Sequence, residues 1–224
     1  MENYFISDLH LFHENAIRFD CRPFKDIDEM HETIINNWNN RVTNADTVYI
    51  LGDISLRGAN NDLISYVSQL KGHKVLILGN HDRVNDYRYE KLFDEVTDYK
   101  VATISYKVPE SKTPISTHVV MSHYPILMWN NQHRGYIHLY GHVHNSIEEI
   151  IYRECLEKLS SDRVAARRPM EKDVKAYNVG CMLPYINYTP RTLYEIMTGY
   201  DSAPIELIGR DHSNAETRKE SNTP

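Results

Sequence analysis

Cysteine is scarce in this sequence, and Cys21, Cys155 and Cys181 are all it has. They are odd in number, far apart and never in a CxxC pair, which argues against a disulfide framework and a structural zinc ribbon. No segment approaches the roughly 20 consecutive apolar residues of a membrane-spanning helix. Basic residues are not in excess either: 25 Lys and Arg stand against 31 Asp and Glu, a net charge of −6 with histidines neutral. That balance argues against binding nucleic acid or an anionic membrane through bulk charge. It leaves room for a phosphorylated small molecule, because bound divalent cations reverse the local field. The opening residues, MENYFISDLH, enter a strand pattern with no basic segment ahead of an apolar one. The expectation is a reduced, cytoplasmic protein without membrane contact.

What is present reads as alternating strand, loop and helix. Tyr4-Phe5-Ile6 is a short apolar run followed by polar residues, a buried-strand pattern. Asp26 and Glu29 stand at capping-box spacing, and Met30, Ile34 and Trp38 behind them share one helical face. Thr47–Leu51 predicts a second strand, ending in Gly52-Asp53. Leu63, Ile64, Val67 and Leu70 predict a helix closed by Gly72. Lys74–Leu78 predicts a third strand, running into Gly79-Asn80-His81-Asp82, with a helical pattern over Tyr87–Phe93 after it. From Val101 the rhythm changes to strands with short turns, at Val101–Tyr106, Val119–Ser122 and Tyr136–Tyr140. This is an α/β chain whose second half is antiparallel or mixed sheet. No linker divides it, so residues 1–209 read as one layered domain. Residues 153–173 are a highly charged, solvated insertion, and 210–224 form a polar tail.

Five of the twelve histidines follow a pattern: an apolar strand-like run, then a polar cluster. The clusters are Asp8-Leu9-His10, Gly52-Asp53, Gly79-Asn80-His81-Asp82, Ser122-His123 and Gly141-His142-Val143-His144. Strand ends in α/β sheets converge on one crevice, so these clusters are placed to meet. Each alone is weak, since Gly-Asp is an ordinary turn and a lone histidine after a strand is more often structural. Together they offer Asp8, His10, Asp53, Asn80, His123, His142 and His144, oxygen and imidazole donors without thiolate. That set suits Mn, Fe, Zn or Ni better than an all-oxygen Ca or Mg cage, with Mn favoured. Seven donors exceed what one ion with open positions needs, and they suit two divalent ions sharing a carboxylate. Such a pair clamps both oxygens of an in-line phosphoryl displacement and acidifies the attacking water.

The ordered series DLH, GD, GNHD, SH, GHVH resembles the calcineurin-like metallophosphoesterase family. FISDLHLFHEN, the NVG at 178–180 and the Pro-Arg-Thr-Leu-Tyr-Glu-Ile stretch resemble its compact bacterial and phage members. The resemblance implies a four-layer αββα sandwich with two mixed sheets. It implies that Asp8, His10 and His144 hold a first metal, that Asn80, His123 and His142 hold a second, and that Asp53 bridges them. His81 would face the leaving-group oxygen, oriented by Asp82. Gly52-Asp53-Ile54-Ser55-Leu56-Arg57-Gly58 is similar to a Gly-Asp-x3-Arg-Gly pattern whose arginine grips phosphate, making Arg57 a candidate substrate contact.

His13 has no counterpart among the seven donors and is read as a pocket-rim residue touching substrate. Arg134, in the polar loop after Trp129, is a further substrate candidate. His138 and Tyr124 are read as packing near the site. The expected activity is hydrolysis of a small phosphomonoester or phosphodiester, nucleotides included, without a stable nucleic-acid complex. Leu56 and Leu78 stand where the protein phosphatases carry Asp and Arg, which demotes that activity. A diadenosine tetraphosphate hydrolase-like activity and a non-catalytic, metal-stabilised protein-binding scaffold rank behind small-phosphoester hydrolysis.

Overall fold

The computed structural model describes residues 1–56, 60–84, 86–109, 111–165 and 173–202. In chain order its strands are β1 (Asn3–Ile6), β2 (Thr47–Ile50), β3 (His73–Ile77), β4 (Glu95–Thr97), β5 (Tyr99–Tyr106), β6 (Ile115–Ser122), β7 (Ile137–Tyr140), β8 (Ala176–Asn178) and β9 (Arg191–Thr192). The helices are α1 (Glu14–Phe19), α2 (Ile27–Arg41), α3 (Asn61–Ser68), α4 (Tyr87–Glu90), α5 (Ile147–Ala165) and α6 (Leu193–Ser202). One sheet has the order β4-β3-β2-β1-β9 and the other β5-β6-β7-β8. In the first, β1 to β4 are parallel and β9 is antiparallel. In the second, β5 and β6 are antiparallel while β6, β7 and β8 are parallel. Both sheets are therefore mixed, as expected for the αββα sandwich.

Alternation along the strands builds two cores. Val119 and Met121 of β6, and Ile137 and Leu139 of β7, point inward and share the main core with Phe5, Ile6, Val48 and Ile50 of the first sheet. The intervening Val120 and Tyr140 point the other way, into a smaller core with Trp129 and Tyr152 of α5. Period-two alternation with both faces apolar marks a sheet covered on both sides. Across β1 and β2 the rings of Phe5 and Tyr49 stack 5.3 Å apart.

Capping and periodicity settle the helices. Asp26 accepts the Glu29 N–H at 2.9 Å, and Glu29 reaches back to the Lys25 N–H at 2.7 Å. Met30, Ile34 and Trp38 are the buried residues of α2, as their spacing predicts. The Trp38 indole N–H finds the Lys71 carbonyl at 2.9 Å, so its polar atom is satisfied inside the core. The expected closure of α3 by Gly72 is corrected: the helix ends at Ser68, and Gly72 (φ 87°) makes the left-handed turn into β3. The helical pattern over Tyr87–Phe93 shortens to the single turn of α4.

The charged segment 153–173 begins as a continuation of α5, anchored by Arg153, which pairs with the buried Glu149 at 2.6 Å and lies 4.2 Å from the Tyr200 ring. Its remainder at 166–172 and the tail 210–224 lie outside the described residues. Among the described residues no helix is long and apolar enough to cross a membrane.

His138 is fully buried in the second core, donating from Nδ1 to Val120 O at 3.2 Å and accepting the Ile126 N–H on Nε2 at 3.2 Å. Burial holds its pKa down at about 4, against an ordinary 6.5. The unfolded chain therefore takes up this proton first, and stability should fall as pH drops from 6.5 towards 4. By linkage the loss is at most about 3 kcal/mol. Denaturant titrations of wild type and His138→Gln across this window should show the excess slope in wild type alone.

Candidate metal centre

The five polar clusters follow the C-terminal ends of β1, β2, β3, β6 and β7, and the folds of the two sheets bring those ends together. Five of the seven candidate donors adopt left-handed backbone conformations: Asp8 (φ 57°), His10 (48°), Asp53 (53°), His142 (69°) and His144 (48°). Such angles cost non-glycine residues roughly 1–2 kcal/mol each and cluster at functional sites. Strand alternation does not bring Asp8 and His10 together, because both lie in left-handed backbone beyond the strand. β1 ends at Ile6, and the following loop runs beside residues 52–54, with Asp8 N–H donating to Gly52 O at 3.0 Å and His10 N–H to Asp53 O at 3.0 Å. The loops meet backbone to backbone, and the glycines ahead of the donors permit it. A Cβ on Gly141 would lie 2.6 Å from Asp8 Oδ2, and one on Gly52 2.7 Å from Gly79 Cα.

The result is two triads, Asp8-His10-His144 and Asp53-His123-His142, each with donor atoms within 4.8 Å of one another. The Nε2 atoms of His10 and His144 face each other at 3.1 Å, the separation of two nitrogens bound to one ion at about 2.1 Å. Asn80 Oδ1 lies 3.0 Å from His123 Nε2 and so joins the second triad. Asp53 Oδ2 stands between the triads, 3.5 Å from His123 Nε2 and 3.9 Å from each of His10 Nε2 and His81 Nε2. It is buried and accepts no hydrogen bond among the described residues. A buried carboxylate oxygen in this position needs a cation. The donor set of carboxylate, amide and imidazole therefore fits a pair of divalent ions.

Groups around the donors fix their orientation. His123 donates its Nδ1–H to Leu51 O at 2.8 Å, turning Nε2 inward. His144 donates its Nδ1–H to Asp20 Oδ1 at 2.7 Å, a carboxylate–histidine pair that strengthens the imidazole as a ligand. Arg22, wholly buried, binds Asp20 Oδ2 through Nε and Nη2 at 2.9 and 2.7 Å. It also donates to the carbonyls of Leu9 and Asp8, each at 2.9 Å, and so holds the left-handed loop. Asn178 Nδ2 donates to His144 O at 2.8 Å. Sequence reasoning missed Asp20, Arg22 and the role of Asn178. The one signal was generic: a ligand histidine needs an acceptor for its second nitrogen.

Charges interact strongly here. Burial opposes ionisation of Asp8, yet the adjacent His144 holds its carboxyl far below the usual range. Burial also depresses His144, but Asp20 overrides it and raises the imidazole to about 10. Burial likewise works against His123, and Asp53 overrides it to raise that imidazole to about 9. Burial, with His144 nearby, keeps His10 well below 6.5. Protons and metal ions thus compete for the same Nε2 lone pairs. Burial pushes Asp82 up to about 6, against the pull of its backbone hydrogen bonds.

The remaining candidates separate. His81 borders the centre, its ring 5.9 Å from His10 and its side chain 29% exposed. Asp82 accepts the N–H groups of Asp53, Gly79 and Ile54 at 2.8, 2.8 and 3.0 Å. Its carboxylate thus clamps two ligand loops, and no hydrogen bond joins it to the His81 ring among the described residues. His13 lies at the rim, its ring 5.8 Å from His10. Arg134 is exposed and precedes β7, whose other end carries His142 and His144, so the strand separates it from the triads. Trp129 is a core residue. Arg57 lies outside the described residues.

A family model described as calcineurin-like phosphoesterase matches residues 3–177. An uncharacterized protein of Methanocaldococcus jannaschii is 42% identical over 84 residues, 37% of this chain and 48% of that protein, so the match spans about half of its length. The Gene 66 protein of Mycobacterium phage D29 is 32% identical over 162 residues, covering 64% of this chain and 79% of the phage protein. A crystal structure of a protein of unknown function from Aquifex aeolicus matches with a TM-score of 0.52 at 24% identity, over 88% of this chain and 97% of that one. That last likeness bears on the fold alone.

If Asp20 tunes His144, Asp20→Asn should weaken Mn²⁺ binding at the first triad by roughly 10–100-fold. Competition against a chelator reads this directly, and an unchanged affinity would mean that His144 is oriented by its backbone alone.

Proposed function

The chain belongs to the calcineurin-like phosphoesterase family, and from that membership we propose that it hydrolyses small phosphomonoesters or phosphodiesters, nucleotides among them. The observation that carries this reading is Asp53 Oδ2, buried between two triads of oxygen and imidazole donors with no hydrogen bond among the described residues. Asp8, His10 and His144 would hold one divalent ion, Asn80, His123 and His142 the other, and Asp53 would reach both. When bound, the two ions supply Lewis acidity towards phosphate oxygens and acidify water, with manganese the favoured metal.

The protein's own groups then position and protonate. The backbone N–H of His81 donates to Asp53 Oδ1 at 3.0 Å, which aims the other carboxylate oxygen at the triads. The partly exposed His81 imidazole is the group placed to meet substrate, and we assign it proton donation to the leaving oxygen. Asp82 supports this from the backbone by tying the Asp53 loop to the Gly79 loop. His13 is assigned to the pocket rim, and Arg57 to phosphate binding on its Gly-Asp-x3-Arg-Gly pattern.

Hydrolysis of p-nitrophenyl phosphate and its bis-ester with added Mn²⁺ tests the reading. His81→Ala should lower kcat by roughly 10²–10⁴-fold with metal content retained. Asp53→Asn should lose both metal and activity, and full activity in that variant would sink the mechanism. His13→Ala should lower activity while keeping metal; loss of metal would make His13 a ligand instead. Bound metal without turnover on any phosphoester would favour a non-catalytic scaffold.

A further inference from the structure

The residue after His123 begins an unbroken apolar run, Tyr124-Pro125-Ile126-Leu127-Met128-Trp129. This run is the loop that leaves β6 at the metal centre. Trp129 is buried, but Tyr124, Leu127 and Met128 are 49%, 43% and 67% exposed. Loops are ordinarily polar, and a run of exposed apolar side chains marks a binding surface or a defect.

A defect would be left loose, and this loop is not. Ser122 Oγ donates to Tyr124 O at 2.7 Å, and the Ile126 N–H donates to His138 Nε2 at 3.2 Å. Tyr152 Oη donates to Ile126 O at 2.8 Å, and Gln132 Nε2 to Leu127 O at 2.9 Å. All four side-chain partners are buried. Four backbone groups are therefore fixed from within, and the exposed side chains sit on a rigid support before anything binds.

Tyr124 gives the location. Its ring centroid is 4.4 Å from that of His142 and 5.2 Å from that of His123, two donors of the second triad. A phosphate held at the triads would thus have its ester substituent within reach of this ring. Tyrosine offers a flat face for stacking, and methionine a soft thioether that packs on aromatic rings.

We infer that Tyr124, Leu127 and Met128 form a preorganised apolar shelf that receives an aromatic substituent of the substrate. This rests on the phosphoesterase reading and narrows its substrate class. The preferred phosphoesters carry a planar apolar group, as aryl and nucleobase-bearing esters do, rather than a bare polyol. A polar ester group finds no partner on the three exposed side chains beyond the tyrosine hydroxyl.

Phenylphosphonate and methylphosphonate share a non-hydrolysable anionic head and differ by the ring, so they isolate the shelf. Calorimetry on the Mn²⁺-loaded protein should find phenylphosphonate binding roughly tenfold tighter. That preference should fall towards unity in Tyr124→Ala, fall partway in Met128→Ser and survive in Tyr124→Phe. Equal affinity of the wild type for both phosphonates overturns the shelf and leaves the phosphoesterase reading standing. So does an undiminished preference in Tyr124→Ala, or self-association that Met128→Ser abolishes while the wild type binds both phosphonates equally. Binding of neither phosphonate overturns the phosphoesterase reading and this inference with it.

Discussion

Seven candidate donor groups from five loops converge on two triads with Asp53 Oδ2 between them, and most of what is unusual in the structure follows from that. Convergence within a few ångströms forces the loops into backbone contact, where a side chain ahead of Asp53, Asn80 or His142 would collide. Hence the glycines at 52, 79 and 141, beside which even a Cβ overlaps a neighbouring ligand loop. Convergence also forces five donors into left-handed conformations, a collective cost of several kcal/mol at roughly 1–2 each. The surroundings offset it locally. Asp82 gathers three backbone N–H groups, and Arg22 gathers two carbonyls from the strained loop.

The sheets serve this convergence by direction. β1, β2 and β3 are parallel, as are β6 and β7, so ligand loops leave each sheet from one edge. The inward residues of β6 and β7 lock the second sheet onto the first, and the outward ones lock it onto α5. That outer core also carries Tyr152 and His138, which hold the Tyr124–Trp129 loop. Packing on the remote face of the second sheet is thus connected through hydrogen bonds to the surface beside the metal donors.

Much of this was legible in the sequence for a simple reason. Each donor cluster directly follows an apolar strand run, so its place at a strand end is a local property. The same holds for α2, where the Asp26 cap and the Met30-Ile34-Trp38 spacing lie within a dozen residues. What escaped was non-local or stereochemical. Asp20 and His144 are 124 positions apart, and nothing in either neighbourhood announces the other. Asp8 and His10 do share a triad, but strand alternation is not what unites them, and Asp and His tolerate left-handed angles without requiring them, so residue type signals such angles only weakly. β4 and β9 are three and two residues long, too short for periodicity to speak. Arg134 is near the ligands in sequence, yet a strand intervenes.

The buried Arg22 raises the question of why a cation is kept beside a centre built for cations. Its neighbourhood supplies the answer in charge. The carboxylates of Asp8, Asp20, Asp53 and Asp82 bring at most four negative charges, and Arg22 removes one. Two divalent ions bring four positive charges, so a loaded centre would carry an excess of at least one. Without Arg22 the four carboxylates could cancel the ions outright, and an anionic substrate would gain nothing. The chain as a whole is acidic, at −6, and salt screens surface charges beyond about 8 Å at physiological ionic strength. Attraction of phosphate would therefore rest on the loaded centre and not on the chain's overall charge. Arg22 would help to sustain it, and its remaining donors hold the loop that carries Asp8.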